Sequence, residues 1–362
     1  MKILHVLPST FGAGGMERLV IQLAGDAVSK GDTVVVASGP GAWEEGLAEA
    51  GGAHVTLPAT SRGSAFGMVM ATARLAGCVN HLRPHVVHSH NVRATVMARL
   101  ALTVTRHRAA LVPTVHGMAP SDYRRASSIL RRITLQVIAC APSVARSLEV
   151  TGFPSSRIEV ITNGAALQPA TLERQSHLRE CLGLGSAPLV AGIGRLVEQK
   201  NWPLFIEAAH RLEGPLFAIA GDGPLRQELM DLAQRSGGRV RFFGVVDDMA
   251  ALMGVASCIV STSSWEGLPL TLLEALSLGT PVVATAVDGV TDIVPPTAAL
   301  LVTPGDPEAV SEAILRVLTD DSLSANLRQK ALAAALEWQP ERMLIQYRRV
   351  YQAAAAGQHP WA

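Results

Sequence analysis

Short apolar, β-branched runs alternate with longer segments of helical periodicity from one end of the chain to the other. This pattern restricts the fold more than any other feature of the sequence. The expected strands are Ile3–Leu7, Thr33–Ala37, Val86–His88, Leu111–Val115, Val137–Ala139 and Ile158–Ile161, then Leu189–Ile193, Leu216–Ala220, Val240–Phe243, Cys258–Ser261, Pro281–Ala284 and Ala299–Val302. Helical patterns lie between them, among them Glu17–Ser29, Leu204–Glu213, Leu225–Arg235, Leu270–Ser277 and Pro307–Thr319. Strand–helix alternation calls for parallel sheets with helices on both faces, an α/β class of architecture. Two such sets predict two doubly wound, Rossmann-like domains, spanning residues 1–165 and 166–337, with Asn163-Gly164 as the punctuation between them. A last helix, at 338–362, carries Leu344, Tyr347, Val350 and Tyr351 at helical spacing and is expected to pack back on the N-terminal domain, across both domains. Ligands of doubly wound sheets bind at the carboxyl ends of the strands, so the expected site is a cleft where the two domains face each other.

The chain has 362 residues, of which 48% are hydrophobic and 17% charged, enough apolar material for buried cores and far from a disordered composition. Its formal net charge of +1 excludes a nucleic-acid-coating protein, and no nucleic acid is expected as partner. That balance conceals a split: residues 1–165 hold 16 Lys/Arg against 9 Asp/Glu, and the remainder hold 15 against 21. Such a division suits two domains that share the handling of an anionic ligand, although surface composition alone can produce it. Cys78, Cys140, Cys181 and Cys258 are far apart and form no C-x-x-C pair, which fits reduced thiols in a cytoplasmic protein. The N-terminus reads as a first strand instead of a signal peptide, and no run approaches the length of a membrane span.

Three loops carry the chemistry. Gly12-Ala13-Gly14-Gly15 follows the first strand and precedes a helix, where glycines admit a phosphate to the free amides of a helix N-terminus. A dinucleotide fold would also place an acid at the end of strand two, but Val36-Ala37-Ser38-Gly39 has none. In the second half, Gly194-Arg195 and Lys200 occupy one strand-to-helix loop, and a guanidinium fork beside an ammonium suits a diphosphate. Asn201 is expected to cap the following helix. The third loop runs Trp265-Glu266-Gly267-Leu268-Pro269-Leu270-Thr271, with Glu274 one turn further on. Pro269 marks a helix start, which directs the amides near Leu270 and Thr271 outward toward phosphate. Carboxylates so near an anion are better used on neutral vicinal hydroxyls, which ribose and hexoses both offer. In the first half, His88-Ser89-His90 places two imidazoles on one strand face and His116 ends the next strand. No third ligand is evident near the pair, so no metal is expected. No G-x-S-x-G elbow, Walker loop or HExxH helix occurs.

Taken in order, these pieces resemble glycosyltransferase family 4, whose members are retaining, nucleotide-sugar-dependent enzymes of GT-B fold. The resemblance runs through Gly14-Gly15-Met16-Glu17, His88-Ser89-His90-Asn91, Thr114-Val115-His116-Gly117, Ile161-Thr162-Asn163-Gly164, Gly194-Arg195 with Lys200, Ala220-Gly221-Asp222-Gly223-Pro224, the Glu266–Glu274 block and Gly279-Thr280-Pro281. It departs at Asp288-Gly289, where Gly-Gly is common, and at Asp292, where glutamate is usual. It implies a hexose-type sugar moved from a UDP- or GDP-linked donor to a hydroxyl acceptor on a lipid carrier, saccharide or small molecule, in cell-envelope, glycolipid or natural-product glycoside synthesis. It also implies an acceptor domain followed by a donor domain, and neither cofactor nor metal. Arg195 and Lys200 would hold the diphosphate, Glu274 the ribose, Glu266 hydroxyls of the transferred sugar, and His116 would contact that sugar near the reacting carbon. Gly14, Gly15, Gly194, Gly267, Leu268, Leu270 and Thr271 would line the donor site, Val245 would lie against the nucleobase, and His88, His90 and Asn91 would face the acceptor. The rivals are a nucleotide-sugar epimerase of the same fold, an NAD-dependent oxidoreductase and a two-domain ligand-binding protein. Finally, Arg124, Arg125, Arg131 and Arg132 make 121–135 a basic segment. It reads either as a solvated helix face or as an amphipathic helix making peripheral contact with anionic membrane at its inner face.

Overall fold

The structure, a computed structural model, describes residues 1–7, 15–41, 43–58 and 65–357. It divides into two compact units, Met1–Asn163 with Pro340–Ala362, and Gly164–Gln339.

The first unit holds β1 (Lys2–Val6), β2 (Thr33–Ser38), β3 (Ala53–Thr56), β4 (Val86–His90), β5 (Ala110–Val115), β6 (Val137–Ala139) and β7 (Ile158–Val160). They form one sheet in the order β3-β2-β1-β4-β5-β6-β7. The second unit holds β8 (Leu189–Ile193), β9 (Leu216–Ala220), β10 (Val240–Gly244), β11 (Ala256–Ser261), β12 (Val282–Thr285) and β13 (Leu300–Val302), ordered β10-β9-β8-β11-β12-β13. All pairings are parallel. The strand order reverses between β1 and β4 and again between β8 and β11, which sets a crevice at the carboxyl ends of those strands in each sheet.

Alternation along the central strands explains why both faces are covered. Ile3 packs with Leu19, Leu23 and Val36, whereas Leu4 and Val6 pack on the other face with Leu75, Val79 and Met97. In the second unit Leu189, Ala191 and Ile193 face one core and Val190 the other. β3 was not among the expected strands. It is an edge strand, only half-buried, and Ala53-His54-Val55-Thr56 lacks the apolar run that marks a central one. The C-terminal helix Pro340–Ala355 belongs to the first unit and buries Met343, Tyr347, Val350 and Tyr351 in its core, while Arg348 pairs with Asp32.

Candidate active site

In the second unit, the loop after β8 is pinned by the loop after β9. Gly194 N–H donates to Ala220 O (2.9 Å) and Leu196 N–H to Asp222 O (2.9 Å). Gly221 has φ +142°, and a Cβ there would lie 2.0 Å from the Gly194 carbonyl, so the two backbones meet only because position 221 has no side chain. Trp202 anchors the other flank by donating from Nε1 to Arg195 O (2.9 Å). Arg195 is exposed, and its guanidinium makes no ion pair among the described residues.

Lys200 ends a short 3₁₀ turn, Glu198–Lys200. Its ammonium donates to Glu266 Oε1 at 2.6 Å, with the two side chains 16% and 5% exposed. The same carboxylate accepts from Ser263 Oγ (2.7 Å) at Oε1 and from Gln199 Nε2 (3.2 Å) at Oε2. Ser263 is itself held through its carbonyl by Thr285 Oγ1 (2.7 Å). Lys200 and Glu266, which the sequence suggests for separate tasks, are therefore one electrostatic unit. An ammonium has three protons, so Lys200 can hold Glu266 and still present N–H groups to an anion.

Asn201 does not cap its helix by side chain. It stands before Trp202 in left-handed conformation (φ +46°), and Thr262 Oγ1 bonds the carbonyls of both Lys200 (3.0 Å) and Asn201 (3.1 Å). This tertiary bond orients the turn that carries Lys200. Nothing in the sequence marks Ser263 and Gln199 as partners of Glu266, although Ser263 lies three residues before it.

Pro269 occupies the N-cap position of the helix Leu270–Ser277, without a side-chain cap, so the amides of Leu270 and Thr271 are not claimed by one. Gly267 is buried, Leu268 partly so, and Glu274 is buried in the second turn at 4% exposure. Gly289 packs against this loop, where a Cβ would fall 2.5 Å from Glu266 O. Glycine at the second position of Asp288-Gly289 thus has a steric reason. Val245, 71% exposed, follows Gly244 at the end of β10.

In the first unit, four imidazoles gather at the carboxyl ends of β1, β4 and β5. His5 and His88 are register partners, and His5, His88 and His90 are wholly buried. His5 Nδ1 and His90 Nε2 lie 3.0 Å apart, and His90 Nδ1 lies 3.1 Å from His116 Nε2. His88 uses Nδ1 on Tyr351 OH (2.6 Å) and Nε2 on Thr114 Oγ1 (2.7 Å). Burial pushes His5 down to about 3 and His116 to about 4, and holds His88 and His90 well below 6.5, so all four are neutral near pH 7.

This placement bears on two expectations. His88 and His90, taken as facing the acceptor, have no exposed surface, and their ring nitrogens are all engaged within the cluster. A third imidazole does lie beside the pair: His5, His88 and His90 offer nitrogens within 4.8 Å of one another, and those of His88 and His90 already have hydrogen-bond partners. His5 carries no local signal, being a lone polar residue in an apolar strand; only the strand register shows its neighbours.

Asn91 caps the helix Val92–Thr105, its side chain accepting from Ala94 N–H (2.9 Å) at φ +121°. That backbone conformation is strained for a residue with a Cβ. Gly15 opens the helix Gly15–Ser29, and Gly14 lies outside the described residues. The helix Tyr123–Ile133 buries Tyr123, Ala126, Ser127 and Leu130 and exposes Arg124, Arg125, Arg131 and Arg132. Among the described residues, no helix is long and apolar enough to cross a membrane.

Residues 13–168 match the family description "Glycosyltransferase Family 4", and residues 187–320 match "Glycosyl transferases group 1". The lipopolysaccharide core biosynthesis glycosyltransferase LpsE of Rhizobium meliloti is 28% identical over 91% of this chain and 92% of its own length. The 2-deoxystreptamine glucosyltransferase of Streptomyces kanamyceticus is 30% identical over 74% of this chain and 67% of its own. Among solved structures, Anabaena HepE in complex with UDP-glucose superposes with a TM-score of 0.86 at 22% identity, covering 98% of this chain and 100% of that one. With two parallel Rossmann-like sheets in the GT-B manner and relatives matched across both units, this chain belongs to glycosyltransferase family 4 and is a glycosyltransferase.

Proposed function

We propose that this enzyme is a retaining, metal-independent hexosyltransferase that moves a sugar from a UDP- or GDP-linked donor to a hydroxyl acceptor. The observation that carries this reading is the Lys200–Glu266 pair beside Arg195 and an uncapped helix N-terminus at Leu270. These groups combine two cations and free amides for a diphosphate with a fixed carboxylate for sugar hydroxyls. Arg195 and Lys200 stabilise the leaving nucleotide, a charge task they perform without a divalent ion. Glu266 and Glu274 take hydroxyls of the sugar and of the ribose, and Val245 lies against the base. The departing phosphate receives the acceptor proton on the face where the bond breaks, which retains configuration and needs no protein nucleophile.

The second unit serves the donor and the first the acceptor. A relative named for lipopolysaccharide core and one named for 2-deoxystreptamine support a saccharide, lipid-borne or small polyhydroxylated acceptor. The exposed arginines of Tyr123–Ile133 support a peripheral seat on anionic lipid at the inner, cytoplasmic face of the membrane. Because that helix's apolar face is buried in its own unit, the attachment is electrostatic and weakens with salt.

A thermal-shift screen of UDP- and GDP-sugars, followed by NMR of the product anomer with and without EDTA, tests the proposal. Stabilisation by one donor and a retained product insensitive to EDTA are expected. An inverted product or dependence on a divalent ion overturns the mechanism, and an epimerised donor formed without acceptor favours the epimerase instead.

A further inference from the structure

We propose that His5 and His90 are positioning residues that fix the tautomer of His116, so that its Nδ1 carries the proton and acts as a hydrogen-bond donor. The inference rests on the transferase function proposed above, with His116 in the place beside the transferred sugar that the family resemblance implies.

The geometry is a row of three imidazoles, His5 Nδ1 to His90 Nε2 at 3.0 Å and His90 Nδ1 to His116 Nε2 at 3.1 Å. A neutral imidazole has one N–H and one lone pair. A ring with both nitrogens bonded to other rings must donate at one end and accept at the other, so the row has two head-to-tail arrangements. In one, His5 Nδ1–H donates to His90, His90 Nδ1–H donates to His116 Nε2, and the proton of His116 sits on Nδ1. In the other, every bond runs backward, and the proton of His5 sits on Nε2.

The buried end of the row distinguishes them. His5 is wholly buried, and its Nε2 makes no hydrogen bond among the described residues. The backward arrangement leaves an N–H there with no acceptor, a kind of orphan that folded proteins rarely tolerate. The forward arrangement leaves only an unused lone pair. Burial thus sets the direction of the row, and the row sets His116.

The neighbours do not compete. His88 lies against both rings, with centroids 5.1 Å from His5 and 4.0 Å from His90, but its own nitrogens are taken by Tyr351 and Thr114. Because burial keeps the imidazoles neutral, the variable near pH 7 is the tautomer and not the charge. At the other end, His116 Nδ1 makes no hydrogen bond among the described residues, which leaves it available to a sugar hydroxyl.

The test is ¹H–¹⁵N long-range correlation NMR of the full-length protein labelled at histidine, at pH 7.5 without substrate. His116 is expected as the Nδ1–H tautomer in the wild type. In His5→Phe, which keeps a ring in the core but removes the donor, and in His90→Gln, which removes the partner of His116, the Nδ1–H signature is expected to give way to a mixture. Turnover in both should fall about tenfold with KM little changed, well short of the ~10⁴-fold lost when a catalytic imidazole is held in the wrong tautomer. An Nε2–H tautomer in the wild type overturns the proposal. So does an unchanged His116 signal in both variants while their spectra remain folded, or a stoichiometric metal ion bound to His5 and His90 in the purified protein. The NMR arm needs neither donor nor acceptor, so its failure is distinct from a failure of the transfer reaction, which would count against the proposed function.

Discussion

Replacing Lys200 by methionine separates the lysine's part in folding from its part in catalysis. The substitution keeps most of the aliphatic stem and removes the ammonium that lies 2.6 Å from Glu266. Removing one partner of a buried ion pair costs about 3–5 kcal/mol, because a desolvated charge is left behind. Lys200 keeps 16% of its surface, and Glu266 retains its bonds from Ser263 and Gln199. The expected cost is therefore at the low end, about 3 kcal/mol. Adding Glu266→Gln removes the stranded charge in the same shape and should recover stability to within about 1 kcal/mol of wild type. Urea unfolding followed by tryptophan fluorescence, in a Trp43→Phe background that removes the indole buried in the first unit, follows the exposure of Trp202 in the second. Turnover at saturating donor is expected to fall about 10²–10³-fold in Lys200→Met and to stay low in the double variant, since the ammonium on the leaving group is still missing. A double variant that regains stability and turnover together would refute the catalytic part. An unchanged midpoint in the single variant would refute the pair.

Arg195→Ala should lower turnover about 10²–10³-fold. Because Arg195 is exposed, the midpoint should move by no more than about 0.5 kcal/mol, and a large loss of stability would contradict its placement. Glu274→Ala should weaken nucleotide binding in calorimetry, and unchanged affinity would remove its ribose role. Tyr351→Phe strips the hydroxyl from His88 Nδ1 inside the core and should cost about 1–3 kcal/mol in chemical unfolding, whereas a neutral result would mean that the 2.6 Å bond contributes little. His5 and His116 have folded values of about 3 and about 4 against an ordinary 6.5, so between those values the unfolded chain binds protons that the folded chain does not. Stability of the first unit is therefore complete above pH 6.5 and falls as pH drops, by about 1.4 kcal/mol per pH unit for each such imidazole. A flat profile from pH 7 to 5 would show that the cluster accepts charge without unfolding.

The two units differ in how much of their chemistry the sequence displays. The second unit builds its site from two contiguous stretches, Gly194–Asn201 and Ser261–Glu274. Each is a strand-to-helix loop in which glycine, proline and charged residues stand out against apolar surroundings. Local rules suffice to find Arg195, Lys200, Glu266 and the helix start at Leu270. What local rules do not supply is tertiary. The Asn201 side chain is no cap because Thr262, 61 residues away, holds the backbone of that turn. The Lys200–Glu266 bond joins residues 66 apart, so two separately legible motifs become one electrostatic unit only when β8 and β11 lie side by side.

The first unit's cluster has no local pattern at all. It takes His5 from β1, His88 and His90 from β4, His116 from the end of β5, and Tyr351 from a helix 263 residues beyond His88. An isolated histidine in a strand carries no information about its partners, and only the pairing of β1 with β4 brings His5 opposite His88. Even the departure from the expected strand set follows this logic, since β3 exists through pairing with β2 and not through its own hydrophobicity. The burial that makes these imidazoles neutral also makes the cluster intolerant of a single unpaired proton. A group of residues invisible to spacing is thus held to a narrower set of hydrogen-bonding arrangements than the exposed Arg195, which any reading of the motif would find first.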